Sequence, residues 1–191
     1  MERFSLAVAQ RKPVASKKCS LRANPSVERT LTGKPLGQEQ EMRDATLFEA
    51  IGGADGVLRL AHAWHQRVVA DEIVAHAFSH GFHPQHTERL AAYWGEAWGG
   101  PTTYSQRYGS ESSVVRMHSG NGPHEEMDRR AIECFDRALD DVGLADPALR
   151  GVLHAYFVWA TTSSMARYPE SADEVPSGLH IPRWSWEGLQ R

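Results

Sequence analysis

The chain is poor in cysteine, poor in lysine and without a long apolar run, and each shortage excludes a class of protein. Only Cys19 and Cys134 occur among its 191 residues. Two such distant cysteines make no disulfide framework, so a reducing compartment, the cytoplasm, is expected. No stretch of 18 or more apolar residues is present, and a bilayer-spanning helix needs about 20, so no membrane partner is expected. The four lysines, Lys12, Lys17, Lys18 and Lys34, all precede residue 44. Residues 1–43 hold nine Lys or Arg against four Asp or Glu, whereas residues 44–191 hold twelve against twenty. An acidic folded part without a basic stripe argues against a nucleic-acid partner. No convincing apolar–polar alternation of four or more residues occurs, which leaves an all-α class.

The composition that remains, 41% hydrophobic and 24% charged, suits one compact domain with a tail. Residues 1–43 are rich in Pro, Ser and basic side chains without apolar period and read as a disordered tail. From Thr46 onward the period is helical. Thr46 and Glu49 form a capping box before Leu47, Phe48 and Ile51, and Gly52-Gly53 stops that short helix. A second helix between Asp55 and Val69 buries Val57, Leu60, Ala61, Trp64 and Val68. Residues 76–86 read as a corner, and Pro84 opens a third helix with His86, Leu90, Tyr93, Trp94 and Ala97 on its buried face. Gly99-Gly100-Pro101 ends it, Thr102–Ser113 reads as a polar loop, and Val114–His118 is long enough for one helical turn. A fourth helix opens at Pro123 with Met127, Ala131, Cys134, Phe135, Ala138 and Val142 along one face. A fifth starts at Asp146-Pro147 and runs to about Arg167. The segment 171–191 carries Trp184 and Trp186 and is too apolar to float free, so it is expected to pack on the domain at 44–170.

Ten histidines occur, and His62, His65, His76, His80, His83 and His86 fall within 25 positions. Such density points to metal or proton traffic. The ligand sets of a non-haem site are absent: no paired Glu-x-x-His and no His-Glu-x-x-His. A His-rich non-haem metal binder therefore stays a minor alternative. His118 differs from the cluster. It ends an apolar turn before Ser119-Gly120, suited to reach into an apolar slot between helices, and neutral imidazole is the usual proximal ligand of haem iron. By itself a histidine there is more often structural than a ligand.

Three motifs carry a family resemblance. They are Phe48-x-x-Ile51-Gly52-Gly53, Tyr93-Trp94-x-x-x-Trp98-Gly99-Gly100-Pro101-x-x-Tyr104-Ser105, and Val115-Arg116-Met117-His118. The stretch from Leu47 to about Arg167 resembles a truncated haemoglobin of the second group. The resemblance implies a two-over-two helical sandwich, the family's B and E helices over G and H, with haem b as cofactor. It implies His118 as proximal iron ligand. On the distal side it assigns His65 to the usual tyrosine position, Phe78 to the aromatic wedge of the corner, and His86 with Leu90 to the helix facing the iron. Ala131 stands where the family has a tryptophan that donates to bound ligand, which removes a donor and opens space. Tyr93 and Trp94 are slot walls or core, and Arg116 is the first candidate for a haem propionate, with Tyr104 and Arg89 weaker.

His86 has three open roles: hydrogen-bond donor to an iron-bound gas, sixth iron ligand, or a residue at the haem edge. The expected function is reversible binding of dioxygen, nitric oxide or carbon monoxide. The alternative is a haem enzyme, a peroxidase, nitric oxide dioxygenase or small-molecule oxidase, with His65 or His86 as acid/base. An unidentified reductase would supply electrons, and the protein would be a monomer or homodimer.

Overall fold

The computed structural model describes residues 44–79 and 81–190. The expected tail at 1–43, Cys19 within it and His80 lie outside these residues. Thr46 caps helix α1 (Leu47–Ala50). Its hydroxyl accepts the Glu49 amide at 3.1 Å while Glu49 Oε2 accepts the Thr46 amide at 2.8 Å, the reciprocal box expected from the sequence. Gly52, at φ +99°, turns the chain into α2 (Gly53–Ala70) through a conformation that L side chains rarely adopt. Gly56 lets the two helices meet, because a Cβ there would lie 1.9 Å from the Ile51 carbonyl oxygen. Helix α2 buries Val57, Leu60, Ala61 and Val68, the expected stripe, with Trp64 half-buried beside it.

A 3₁₀ turn at Val74–Phe78 follows. Asp71 fastens it, accepting the Ile73 and Val74 amides at 3.0 Å each and the Arg130 guanidinium at 2.6 Å. Helix α3 (His86–Ala97) begins two residues after the expected start at Pro84. His83 Nδ1 accepts the Gln85 amide at 3.0 Å and closes a turn ahead of the helix. Thr87, Ala91, Trp94 and Gly95 are its buried line, while His86, Leu90 and Tyr93 are half-buried.

Part of the expected loop at 102–113 is helical. Helix α4 (Thr103–Arg107) is anchored by buried Glu96, which accepts the Ser105 amide at 3.0 Å and its hydroxyl at 2.6 Å. Helix α5 (Glu111–His118) is eight residues rather than one turn, because Ser110 and Ser113 cap each other's amides.

Helices α6 (Glu125–Asp141) and α7 (Pro147–Val158) make the second layer. Asp146 caps α7 by accepting the Ala148 and Leu149 amides at 3.0 and 2.9 Å, with Pro147 in the first turn. The layers meet through rings. Phe135 stacks on Phe157 at 4.3 Å, Trp94 stands edge-on to Phe135 at 5.6 Å, and Trp98 meets Tyr156 at 5.4 Å. Each fully buried side chain of this kind contributes about 1.5–3 kcal/mol. The pair α2–α3 over α6–α7 is the two-over-two sandwich.

Beyond Val158 the backbone widens to a π-helix at Trp159–Ser164 and tightens to a 3₁₀ turn at Met165–Arg167, so the fifth helix reaches its expected end in another form. The chain then crosses back along α5: the Leu179 amide donates to Ser112 Oγ at 3.1 Å, and Arg116 donates to the Val175 carbonyl at 3.1 Å. Two-residue strands, β1 (Trp184–Ser185) and β2 (Gly188–Leu189), close a hairpin too short to show as alternation. Trp184 packs on Tyr156 at 5.7 Å, and Trp186 donates to the Ala45 carbonyl at 2.8 Å. Both tryptophans cover a core edge. Among the described residues no helix is long and apolar enough to cross a membrane.

Candidate functional site

Helix α5 delivers His118 from one side. Its cap at Ser110 sets the helix, and Ser119, in extended backbone, ends it directly after the histidine. His118 Nδ1 lies 2.8 Å from the Val114 carbonyl oxygen one turn back. A carbonyl only accepts, so Nδ1 donates its proton there, and the tautomer this selects has its lone pair on Nε2. Such a backbone tether fixes both tautomer and ring plane in histidines that bind metal through the other nitrogen.

Four other rings gather in a cluster. His65 of α2, Phe78 of the 3₁₀ turn, Phe82 and His86 at the start of α3 lie with centroids between 4.6 and 5.9 Å apart. Nδ1 of His65 and Nδ1 of His86 are both buried without a hydrogen-bond partner. Burial first, and then the neighbouring histidines, holds His86 down to about 4, with His118 among those neighbours. His65 is lowered by burial and by His62. Burial thus favours the neutral form of both imidazoles, each with a nitrogen that finds no group among the described residues. Orphaned buried nitrogens on His65 and His86, and a His118 whose Nδ1 is held by backbone so that Nε2 is available, are donors that fit a haem.

The other sequence candidates divide. Leu90 and Tyr93 follow His86 along the half-buried line of α3. Tyr93 spans to α5, its hydroxyl donating to Glu111 Oε2 at 2.8 Å, and burial pushes the Glu111 carboxyl up. Ala131 is at the edge of the core, and its carbonyl accepts Trp64 Nε1 at 3.4 Å, so the indole beside His65 spends its N–H on backbone. Trp94 is in the core, between Trp64 and Trp98. Arg116 is not brought to His118. Two residues along a helix are about 200° apart, and its guanidinium lies on Val175 and Ser177. Arg89 donates to the Tyr108 carbonyl at 3.0 Å, and Tyr104 is buried.

Sequence reasoning missed Phe82, Glu111 and Tyr168. Phe82 is 50% exposed in a Gly-Phe-His-Pro corner with no period to mark it. Glu111 sat in a stretch read as loop, although Ser110 before it is a helix-capping residue. Tyr168 faces His118 with ring centroids 6.4 Å apart and also lines a cavity of about 380 Å³ behind α5, together with Glu111, Val115 and His180. Among the described residues no three His, Cys, Asp or Glu are placed to hold a bare metal ion, so the non-haem alternative has no site there.

A two-over-two helical sandwich defines the class of the truncated haemoglobins. Solved structures agree with it. A thermostable hemoglobin from the actinobacterium Thermobifida fusca is 30% identical, the match covering 66% of this chain and 100% of that one, with a TM-score of 0.55. The hemoglobin of Chloroflexus aurantiacus is 28% identical over 63% of this chain and 97% of its own, with a TM-score of 0.54. The group II truncated hemoglobin of Bacillus anthracis, 19% identical over 65% and 93% of the two chains with a TM-score of 0.57, shares the fold. No curated protein matches. The bacterial-like globin family matches residues 46–157, and the chain belongs to that family. Membership implies haem binding and a diatomic gas as ligand.

Proposed function

We propose that this globin holds haem b through Nε2 of His118 and reversibly binds dioxygen or another diatomic gas beneath His65 and His86. The observation that carries the reading is the Nδ1–Val114 tether, which leaves Nε2 of His118 as the nitrogen available to a metal, with His118 near enough to His86 to act on its charge. Haem bound there supplies an iron centre that accepts a gas on its distal face. Phe78 and Leu90 exclude water from that face. The neutral His86 ring offers an N–H to the partial negative charge on a bound gas, a contact contributing about 0.5–1.5 kcal/mol. His65, 5.1 Å away ring to ring, is placed to hold His86 in position or to share that donation. The haem domain spans 44–170, with the segment from 171 onward packed on it.

A second reading, peroxide or small-substrate oxidation, draws on the two uncharged imidazoles able to exchange a proton and on the small side chain at Ala131. The test common to both is the absorption spectrum of the ferric, ferrous and carbon-monoxide forms of the hemin-loaded protein, compared with His118→Ala. A Soret band that is lost in the variant and restored by added imidazole is expected. Equal haem retention in His118→Ala refutes the assignment.

A further inference from the structure

Five of the six tryptophans stand in one chain of ring contacts with Tyr156. Trp64, next to His65, lies 5.8 Å from Trp94, which stacks on Trp98 at 5.6 Å and 20°. Trp98 meets Tyr156 at 5.4 Å, and Tyr156 meets Trp184 at 5.7 Å and Trp159 at 6.3 Å. Trp184 and Trp159 are 5.2 Å apart. Trp159 is half-buried and reaches solvent, while Trp98 is fully buried. Both outer tryptophans lie beyond residues 46–157, so this end of the path is outside the segment that matches the family.

A hydrophobic core alone accounts for the packing but not for two further atoms. Nε1 of Trp98 and Nε1 of Trp184 are buried without a hydrogen-bond partner, although buried indoles ordinarily find one. An indole that has lost an electron is a far stronger acid than the neutral ring. Beside an acceptor it sheds its proton and the electron vacancy is trapped there as a neutral radical. Without an acceptor the proton stays and the vacancy moves on to the next ring. The unpartnered nitrogens sit at the middle and near the outer end of the path.

We propose that these rings conduct oxidising equivalents from the distal slot to a surface site at Trp159, where phenolic donors too large for the slot are oxidised. The proposal rests on the haem reading above, with hydrogen peroxide as oxidant at the distal face. Peroxide takes up two electrons and two protons and becomes two waters. Two phenols at Trp159 give one electron and one proton each and leave as phenoxyl radicals. The electrons travel inward from indole to indole, crossing the Tyr156 contact without oxidising it so that its buried hydroxyl keeps its proton; the protons of the phenols pass through solvent, and every ring ends as it began.

The experiment treats the hemin-loaded full chain with peroxide in the presence of a nitrone spin trap and maps the adducts by peptide mass spectrometry. Haem content is read first from the Soret band, so a chain that takes up no hemin refutes the haem reading before peroxide is added. Trap adducts at Trp159 are expected, with a several-fold loss in Trp98→Phe at equal haem content. That substitution removes an indole whose N–H bonds to nothing, so no hydrogen bond is lost with it. Absence of adducts at Trp159, or an unchanged yield there in Trp98→Phe, overturns the proposal. Should Trp98→Phe not accumulate, Trp159→Phe at the half-exposed end decides: peroxide-driven oxidation of a bulky phenol must fall several-fold, and an unchanged rate refutes the surface site.

Discussion

Glu111 gives the sharpest test of how α5 is held. Its side chain is 5% exposed, and its carboxylate accepts the Tyr93 hydroxyl at 2.8 Å, joining the helix of His118 to α3. Burial raises its pKa against the opposing effect of that hydrogen bond. A carboxyl raised on folding stabilises the fold fully below its unfolded value near 4.5, and that stability is lost as pH rises through the folded value. Glu111→Gln keeps an acceptor for Tyr93 and removes the buried charge, so at pH 7 it should be at least as stable as the natural chain and lose its advantage near pH 4. Glu111→Ala leaves the Tyr93 hydroxyl unpaired. Removing one partner of a buried hydrogen bond costs about 1–3 kcal/mol, which for a domain of this size lowers the melting temperature by roughly 2–12 °C. Thermal unfolding of the haem-free and hemin-loaded protein at pH 4, 5.5 and 7 measures both. If Glu111→Gln falls as far as Glu111→Ala at pH 7, the charge itself stabilises α5 and the account of its burial is wrong.

Three further outcomes follow from particular contacts. Gly56→Ala places a Cβ 1.9 Å from the Ile51 carbonyl oxygen, and overpacking of this kind costs about 1–3 kcal/mol or more; an unchanged urea midpoint would contradict the close approach of α1 and α2. Asp71 is held down to about 2, chiefly by Arg130 and then by the Val74 and Ile73 amides. The stability it contributes is present above its unfolded value near 3.8 and is lost as pH falls toward 2, so Asp71→Asn should flatten the acid limb of a pH–stability curve over that window; an identical limb would count against the bridge. His86→Leu deletes the proposed distal donor, and loss of about 0.5–1.5 kcal/mol should speed dioxygen release about twofold to tenfold in stopped-flow measurements. An unaltered release rate would leave His86 at the haem edge.

Much of the scaffold was legible because its signals are local. The Thr46–Glu49 box, the Asp146-Pro147 start of α7 and the apolar spacing in α2 and α6 each involve residues within one or two turns, and each is present as expected. The start of α3 slipped from Pro84 to His86: residues 83–86 close a turn through the His86 amide and the His83 carbonyl at 2.8 Å before the helix begins. Helices α4 and α5 were hidden because serine caps and a buried glutamate leave no apolar period to read.

The site was less legible. Position along the chain suggested Arg116 as a rim residue because it is two residues from His118, yet a helix sends those side chains to opposite faces, and the returning segment at Val175–Ser177 receives the guanidinium. The use of the Trp64 N–H on Ala131 joins residues 67 apart, and no periodicity encodes it.

The amino-acid order alone determined where the long helices α2, α6 and α7 lie and which histidine ends a short apolar turn, because those outcomes depend on backbone geometry and near neighbours. Only the packed chain decided that His118 holds its proton on the nitrogen turned to Val114, that His65 and His86 share a cluster with Phe82, and that the tryptophans join into one path. Those facts depend on which distant side chains share a buried volume, and that volume exists only once the helices have closed on one another.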